Sequence, residues 1–369
     1  MARKYDLAIC GYYGFGNLGD ELICRALVEM AVGLGLERSR ICVLSCDPHL
    51  TGSSLGVDSV DRWKFFEVFK ALRQSRSLLL GGGGLFQDST SLRSCLYYWG
   101  VTLLGRLLGA TPWAFGQSVG PLRSKTSRFL ARHALKACRV RFVRDEASRD
   151  LLSSMGLDSQ ILPDPVFYFA SCMPKNFRSG SVLALNVRPL SGGENTAGLL
   201  FQAVKAFCDA RGYRTRAICL CEEDLLELRR LGERLDEAIV VKDLKDIASA
   251  FEDVRYAVGM RLHFCLLALL FRVPVVAVPY DPKVRSFALS WDIPLWEKGA
   301  DLGNLISKAK VAQDDEINSA RENLTEGFAF AIRKTLGDEC VGARSRIAVH
   351  RPVADLSGTH AVPAPTRGL

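Results

Sequence analysis

Val254-Arg255-Tyr256-Ala257-Val258-Gly259-Met260-Arg261-Leu262-His263 opens the stretch on which the fold turns. Val254–Val258 is short and valine-rich, and Leu262–Phe271 is apolar and long enough for a buried helix. Val275–Val278 is a second valine-rich run, ended by Tyr280-Asp281-Pro282-Lys283. Short β-branched runs bounded by breakers read as buried strands. Strand, helix and strand in that order make the unit of a parallel sheet, and side chains at strand carboxyl ends line the ligand crevice of such sheets. Arg261, His263 and Lys283 fall at those ends.

The alternation extends in both directions. Tyr5–Cys10, Ile41–Ser45, Ser77–Leu80, Pro112–Phe115 and Arg141–Val143 read as earlier strands. Asp20–Leu34 reads as a helix, with Ile23, Leu27, Met30 and Leu34 spaced i, i+4, i+7, i+11. Val182–Val187, Arg216–Leu220 and Ile239–Val241 restart the series after Ser171–Gly180, a polar stretch with Pro and Gly that reads as a linker. The fold class is α/β with parallel sheets wound by helices. At 369 residues the chain suits two domains of roughly 150–200 residues each. The expected division is residues 1–172 and 173–340. Residues 341–369 lose periodicity, are rich in Pro, Ala, Gly and Arg, and read as a disordered tail.

A hydrophobic content of 48% and a charged content of 24% are ordinary for a soluble globular protein. The net charge is +8, but the tail holds Arg344, Arg346, Arg351 and Arg367 against Asp355 alone. The mild excess left on the body fits anionic substrates or an acidic membrane surface better than a nucleic-acid groove. The twelve cysteines are scattered and include no CxxC pair, so they read as reduced core residues in a cytosolic protein. Met1–Tyr13 lacks the apolar core of a signal peptide, and Leu96–Phe115 and Leu262–Pro279 are interrupted by Arg106, and by Arg272 with Pro274. Peripheral contact at the inner membrane surface stays open. The five histidines show no HxH or HExxH spacing, so neither a metal nor a cofactor is expected.

Three loops follow early strands. Gly11-Tyr12-Tyr13-Gly14-Phe15-Gly16-Asn17-Leu18-Gly19-Asp20-Glu21 contains GxGxxG in the right context, but no acidic ribose partner ends the second strand. It reads either as a loop whose N–H groups and Asn17 face a substrate, or as a tight turn with Asp20 and Glu21 complementing the helix dipole. Gly81–Gly84 permits close approach of a ligand or another backbone. Gly116-Gln117-Ser118-Val119-Gly120 is a third exit; Ser118 has no nearby His–Asp pair and does not read as a nucleophile. Arg144-Asp145 reads as a structural ion pair at a strand-to-helix turn, with acceptor contact as the alternative. Arg188 ends the first strand of the second half. With Arg261, His263 and Lys283 it forms a basic set on one sheet edge with few acids in view, Asp281 being able to neutralise one of them. Such a set suits a small, multiply charged anion.

The segments GYYGFGNLGDE, LLLGGGGLFQD, FGQSVGPL, FVRDEAS, NVRP, GMRLHF and VPYDPKV, running in order from Gly11 to Lys283, resemble the polysaccharide pyruvyltransferase family, CsaB type. The resemblance implies two Rossmann-like domains facing across a cleft, as in GT-B glycosyltransferases, with the acceptor on the first and the donor on the second. It implies phosphoenolpyruvate as donor and a sugar as acceptor, a lipid-linked disaccharide containing N-acetylmannosamine. It also places Arg188, Arg261, Leu262 (through its backbone) and His263 at the phosphoenolpyruvate site; Lys283 is added from its spacing. Gly16, Asn17, Gly83, Gln117, Ser118 and Arg144 are the acceptor-side candidates. His263 is expected to move a proton, Arg261 to stabilise the leaving phosphate, and Asp20 or Glu21 to deprotonate the sugar. A nucleotide-sugar-dependent GT-B glycosyltransferase is the alternative reading.

Overall fold

The computed structural model describes residues 3–88, 92–174, 180–190, 195–232 and 235–338. Two parallel sheets carry the molecule. The first contains β1 (Tyr5–Cys10), β2 (Ile41–Ser45), β3 (Asp58–Asp61), β4 (Ser75–Phe86), β5 (Thr111–Val119), β6 (Arg141–Val143) and β7 (Gln160–Ile161), in the order 3-2-1-4-5-6-7. The second contains β8 (Val182–Asn186), β9 (Arg214–Cys219), β10 (Glu237–Val240), β11 (Val254–Gly259) and β12 (Val275–Ala277), in the order 10-9-8-11-12. In each sheet the strand order reverses once, between β1 and β4 and between β8 and β11. Those switch points are where doubly wound sheets leave a crevice at the strand carboxyl ends.

Helices α1 (Leu18–Gly33), α2 (Pro48–Leu55), α3 (Phe65–Arg73), α4 (Leu92–Leu107), α5 (Lys125–Ala137) and α6 (Glu146–Ser154) wind the first sheet. The second is wound by α7 (Thr196–Arg211), α8 (Glu222–Leu231), α9 (Leu244–Ala250), α10 (Leu262–Leu270), α11 (Pro282–Ser290) and α12 (Leu302–Lys308). α10 is apolar all round because it is buried all round: every residue from Phe264 to Leu270 is 3% exposed or less. It shares one continuous core with α1 and the 3-10 turn Pro165–Ser171, so the two halves are packed together through helix faces. Leu18 N–H donates to Leu220 O at 2.9 Å, and Phe167 stacks on Trp291 with ring centroids 5.0 Å apart.

The last helix is α13 (Asp314–Leu336). It lies beyond the second sheet in sequence but packs on the first: Phe328 meets the rings of Trp113 and Phe115 at 5.5 and 5.0 Å, and Gly327 sits under Leu162. Part of the segment assigned to 173–340 therefore completes the core of the N-terminal half. The tail at 341–369 and the middle of the expected linker lie outside the described residues.

Two strand boundaries also differ from expectation. β4 does not stop at Leu80 but runs through Gly81–Gly84 to Phe86, and β5 runs on through Gln117 and Ser118 to Val119. The glycines continue the strand because helix α1 crosses closely above them; a Cβ on Gly81 would lie 2.5 Å from Leu27, and on Gly82 2.1 Å from Ile23. The described cysteines are all free, and all but Cys46 and Cys172 are buried.

Candidate active site

The acceptor-side floor begins where β1 ends. Tyr13 turns inward, is 1% exposed and donates its hydroxyl to Gly81 O, while Tyr12 and Phe15 stack on each other at 4.0 Å. Gly14 adopts φ 77° with Ser45 and Asp47 packed where a Cβ would be, so no other residue fits there. Gly16, at φ 73°, has open space around it. Glu21 reaches back from the first turn of α1 and accepts the Gly14 N–H at 2.8 Å. Burial pushes the Glu21 carboxyl up to about 7, against the pull of the loop N–H groups. Its contacts fasten the loop.

Asp20 is the carboxyl that enters the site. Asn17 Nδ2 donates to Asp20 Oδ2 at 2.7 Å, and Gly83, at φ 67°, leaves room for Asp20 Oδ1, which would lie 2.6 Å from a Cβ there. Burial raises the Asp20 carboxyl above its ordinary range; the charges of His263, Arg144, Lys283 and Arg261 pull the other way and do not cancel it. Next to Gly83 on β5, Gln117 is fully buried, and neither its Oε1 nor its Nε2 has a hydrogen-bond partner. A buried amide left unpaired costs free energy unless something polar meets it.

Ser118 and Arg144 are tied to each other and to neighbouring acids. Ser118 Oγ donates to Asp145 Oδ2 at 2.5 Å and accepts from Arg144 Nε at 2.8 Å, so its one proton is already committed. Arg144 Nη1 pairs with Asp164 Oδ2 at 2.5 Å, with 5% and 4% of the two side chains exposed. With Asp145 and Asp164 they form a framework, because a guanidinium and carboxylates buried together must satisfy each other. Burial would raise the Asp164 carboxyl, but Arg144 and His263 hold it well below the usual range.

On the donor side, Arg261 is the N-cap residue of α10, and its own N–H donates to Asn186 Oδ1 at 3.0 Å. Its side chain also departs from expectation. Nε and Nη2 fork onto Asp224 at 2.6–2.8 Å, and Asp224 is 0% exposed. Asp224 further accepts from Leu220 N–H at 3.1 Å and Asn186 Nδ2 at 3.3 Å. The basic set is thus not short of acids: Asp224 neutralises Arg261, Asp164 lies against His263, and Asp281 lies 3.4 Å from Lys283 Nζ. Arg261 Nη1 lies outside the fork. Arg188 carries no such carboxylate; its Nη1 donates to the Tyr280 hydroxyl at 2.6 Å and its guanidinium lies 4.7 Å from that ring's centroid. The first-turn N–H groups of Leu262 and His263 have no acceptor within α10, which makes this helix end an anion-binding position.

His263 joins the two sides. Its imidazole, 12% exposed, lies against the α1 backbone so tightly that a Cβ on Gly19 would be 2.0 Å from Nδ1. Nε2 is 3.5 Å from Asp164 Oδ2 without a hydrogen bond to it. Asp20 is the next residue along α1. A cavity of about 240 Å³ adjoins this junction, with Arg144, Asp164, Leu262, Lys283 and Trp291 in its wall. Among the described residues no group of three His, Cys, Asp or Glu is arranged to hold a metal ion.

The geometry brings Asn17, Asp20, Gly83, Gln117, Leu262, His263 and Lys283 together, and adds Asn186, Asp164 and Asp224. Sequence reasoning did not find those three. Asp164 precedes Pro165 as an ordinary turn cap, and Asp224 sits in the acidic run Glu222-Glu223-Asp224, so nothing local sets either apart.

Comparison with known proteins agrees with this architecture. The polysaccharide pyruvyl transferase family model matches residues 17–282. The amylovoran biosynthesis protein AmsJ of Erwinia amylovora is 20% identical over 299 residues, covering 71% of this chain and 70% of that one. Among solved structures, Anabaena HepE in complex with UDP and glucose superposes with a TM-score of 0.53 at 13% identity, covering 90% of this chain and 97% of that one. S. aureus MnaA with UDP gives 0.56 at 10% identity, over 89% and 96%. The superpositions establish the GT-B-like pair of Rossmann-like domains. The family model runs from Asn17 at the start of α1, through the second switch point and the α10 cap, to Pro282, most of the chain, and the chain accordingly belongs to the polysaccharide pyruvyl transferase family.

Proposed function

We propose that this protein transfers the pyruvyl group of phosphoenolpyruvate to two hydroxyls of a sugar on a lipid-linked N-acetylmannosamine-containing disaccharide, forming a cyclic ketal and releasing phosphate. The observation that carries the reading is the junction of His263 with Gly19 and Asp20, where a group on the donor half touches the backbone beside a carboxyl on the acceptor half.

Phosphoenolpyruvate brings a phosphate and a carboxylate on a short skeleton. The α10 N-terminus, Arg188, the Nη1 of Arg261 and Lys283 are the groups in reach of its charges. In the first step one sugar hydroxyl adds to C2 while C3 takes a proton, giving a methyl group and a phosphorylated tetrahedral carbon. The C2–O bond to phosphate then breaks, C2 becomes an oxocarbenium, and the second hydroxyl closes the ring. Two hydroxyl protons leave the sugar; one ends on C3 and one on phosphate, so the balance closes. Asp20, made more basic by burial, accepts a hydroxyl proton, and His263 relays a proton between carboxyl and donor. Gln117, with both amide atoms unpaired, holds the sugar. Asp224 fixes Arg261 in place, the role that outer partners play around reactive groups, while Asp164, 3.5 Å from His263, sets a negative charge beside the imidazole.

Incubating the protein with phosphoenolpyruvate and the lipid-linked disaccharide, with phosphate assay and mass detection of the product, tests the reading. Phosphate release that requires both substrates, with one pyruvyl group added to the sugar, is expected. Release with neither acceptor dependence nor a pyruvylated product would overturn it.

A further inference from the structure

Helices α3, α4 and α5 lie side by side on one face of the first sheet, with Val68, Leu72, Cys95, Tyr98, Leu130 and Leu135 in a common core beneath them. Their outward side departs from an ordinary surface in two ways. First, it is one-signed: the three helices carry eight lysines and arginines and a single carboxylate, Glu67, which Lys64 pairs with at 3.2 Å. That leaves the three helices at +7, while the rest of the chain, basic tail included, sums to only +1.

Second, the same side exposes large apolar groups. Phe65 and Phe66 stand at the start of α3, 60% and 83% exposed, with Trp63 just ahead of them at 62%. On α4, Leu92, Leu96 and Leu107 are all exposed, and their spacing of i, i+4 and i+15 returns them to one stripe of the helix. Phe129 of α5 is 63% exposed and stacks on His133, which accepts from Trp99 of α4 at 3.0 Å. Trp63 meets Tyr97 of α4 at 5.5 Å, so the patch is continuous from the loop before α3 across to α5. Exposed apolar groups this numerous within one basic surface need a partner that accepts both.

We infer that the α3–α5 face docks the protein on an anionic phospholipid bilayer. Aromatic and leucine side chains enter the headgroup and upper acyl region while lysines and arginines stay at the level of the phosphates, the arrangement of interfacial helices. Nucleic acid would use the cations but offers nothing to aliphatic leucines, and an acidic protein surface would leave them exposed. No described helix is long and apolar enough to cross a membrane, so the contact is peripheral. The face also communicates with the cleft: the Arg62 guanidinium lies 5.2 Å from the Trp63 ring and 5.2 Å from the ring of Phe15 in the glycine loop. This inference stands on the surface alone and does not depend on the pyruvyl-transfer reading.

Sedimentation of the full chain with vesicles of phosphatidylcholine, with and without phosphatidylglycerol, tests it. Binding is expected on the phosphatidylglycerol vesicles and at least about tenfold weaker on phosphatidylcholine alone. Phe66→Ser with Leu107→Ser, and separately Arg73→Glu with Arg106→Glu, should each weaken binding about tenfold or more while melting as the parent does. All four positions are exposed, so folding is expected to survive. Failure of the parent to bind phosphatidylglycerol vesicles, parental binding by both variants, or displacement of the parent from vesicles by a homopolymeric RNA while the Phe66→Ser, Leu107→Ser variant binds normally would overturn it.

Discussion

Because Asp224 is fully buried and already accepts the Leu220 N–H, its charge needs a cation, and the guanidinium of Arg261 meets that need from across the sheet. Removing the carboxylate strands the arginine: Asp224→Ala should lower stability by about 3–5 kcal/mol in urea unfolding, the usual cost of leaving one partner of a buried pair. A variant as stable as the parent would contradict the pair's structural role. His263 is different in kind, since its Nε2 has no hydrogen-bond partner and its ring is held by packing. His263→Gln should therefore fold normally yet lose at least about a hundredfold in phosphate release, the scale of a lost proton-transfer group; near-parental turnover would remove the imidazole from the mechanism. Residues such as these show where reading from sequence stops. The cations at strand ends are visible because strand and helix signals place them there. The acids that pair with them are not, since Asp224 is 37 residues from Arg261 and one of three consecutive carboxyl residues.

Among the elements, α1 and the loop before it carry most of the specific geometry. Glu21 holds the loop from the first turn of the helix, and its carboxyl, pushed by burial up to about 7, lies above the ordinary 4.5. Folding thus favours the protonated form. The stability this residue contributes is complete below the ordinary value and is lost as pH rises toward 7. Glu21→Gln should remove that slope, so the variant gains on the parent in urea midpoint between about pH 5 and about pH 8. Equal midpoint differences at the two pH values would contradict the assignment. The element boundaries were readable where periodicity is strong, as in β1, β2, α1 and α10. They failed where a breaker is used against its usual meaning. Gly81–Gly84 reads as an exit, yet close packing of Leu27, Ile23 and Asp20 over the strand is what excludes side chains there. β3 (Asp58-Ser59-Val60-Asp61) carries too little apolar pattern to announce an edge strand.

Over the whole molecule, two features give the halves their working relation. One is α13, which returns from the second sheet to the first and packs Phe328 against both Trp113 and Phe115. Phe328 is fully buried, so Phe328→Ala should cost about 3–5 kcal/mol in unfolding experiments, the range for emptying an aromatic site in a core; a loss too small to measure would mean that α13 is only loosely applied. Its packing could not be read from the sequence, because an amphipathic helix does not say which sheet it covers. The other feature is the junction at Gly19, through which the donor half presses on the acceptor half. If reaction requires that closeness, Gly19→Ala tests it more directly than any other change. Gly19 is a helical residue without a positive φ, so alanine suits the backbone, while its Cβ displaces His263. Calorimetric titration with phosphoenolpyruvate and phosphate-release assays on the same preparation are predicted to show donor affinity within about twofold of the parent and turnover reduced about a hundredfold or more. Turnover equal to the parent's would contradict the account.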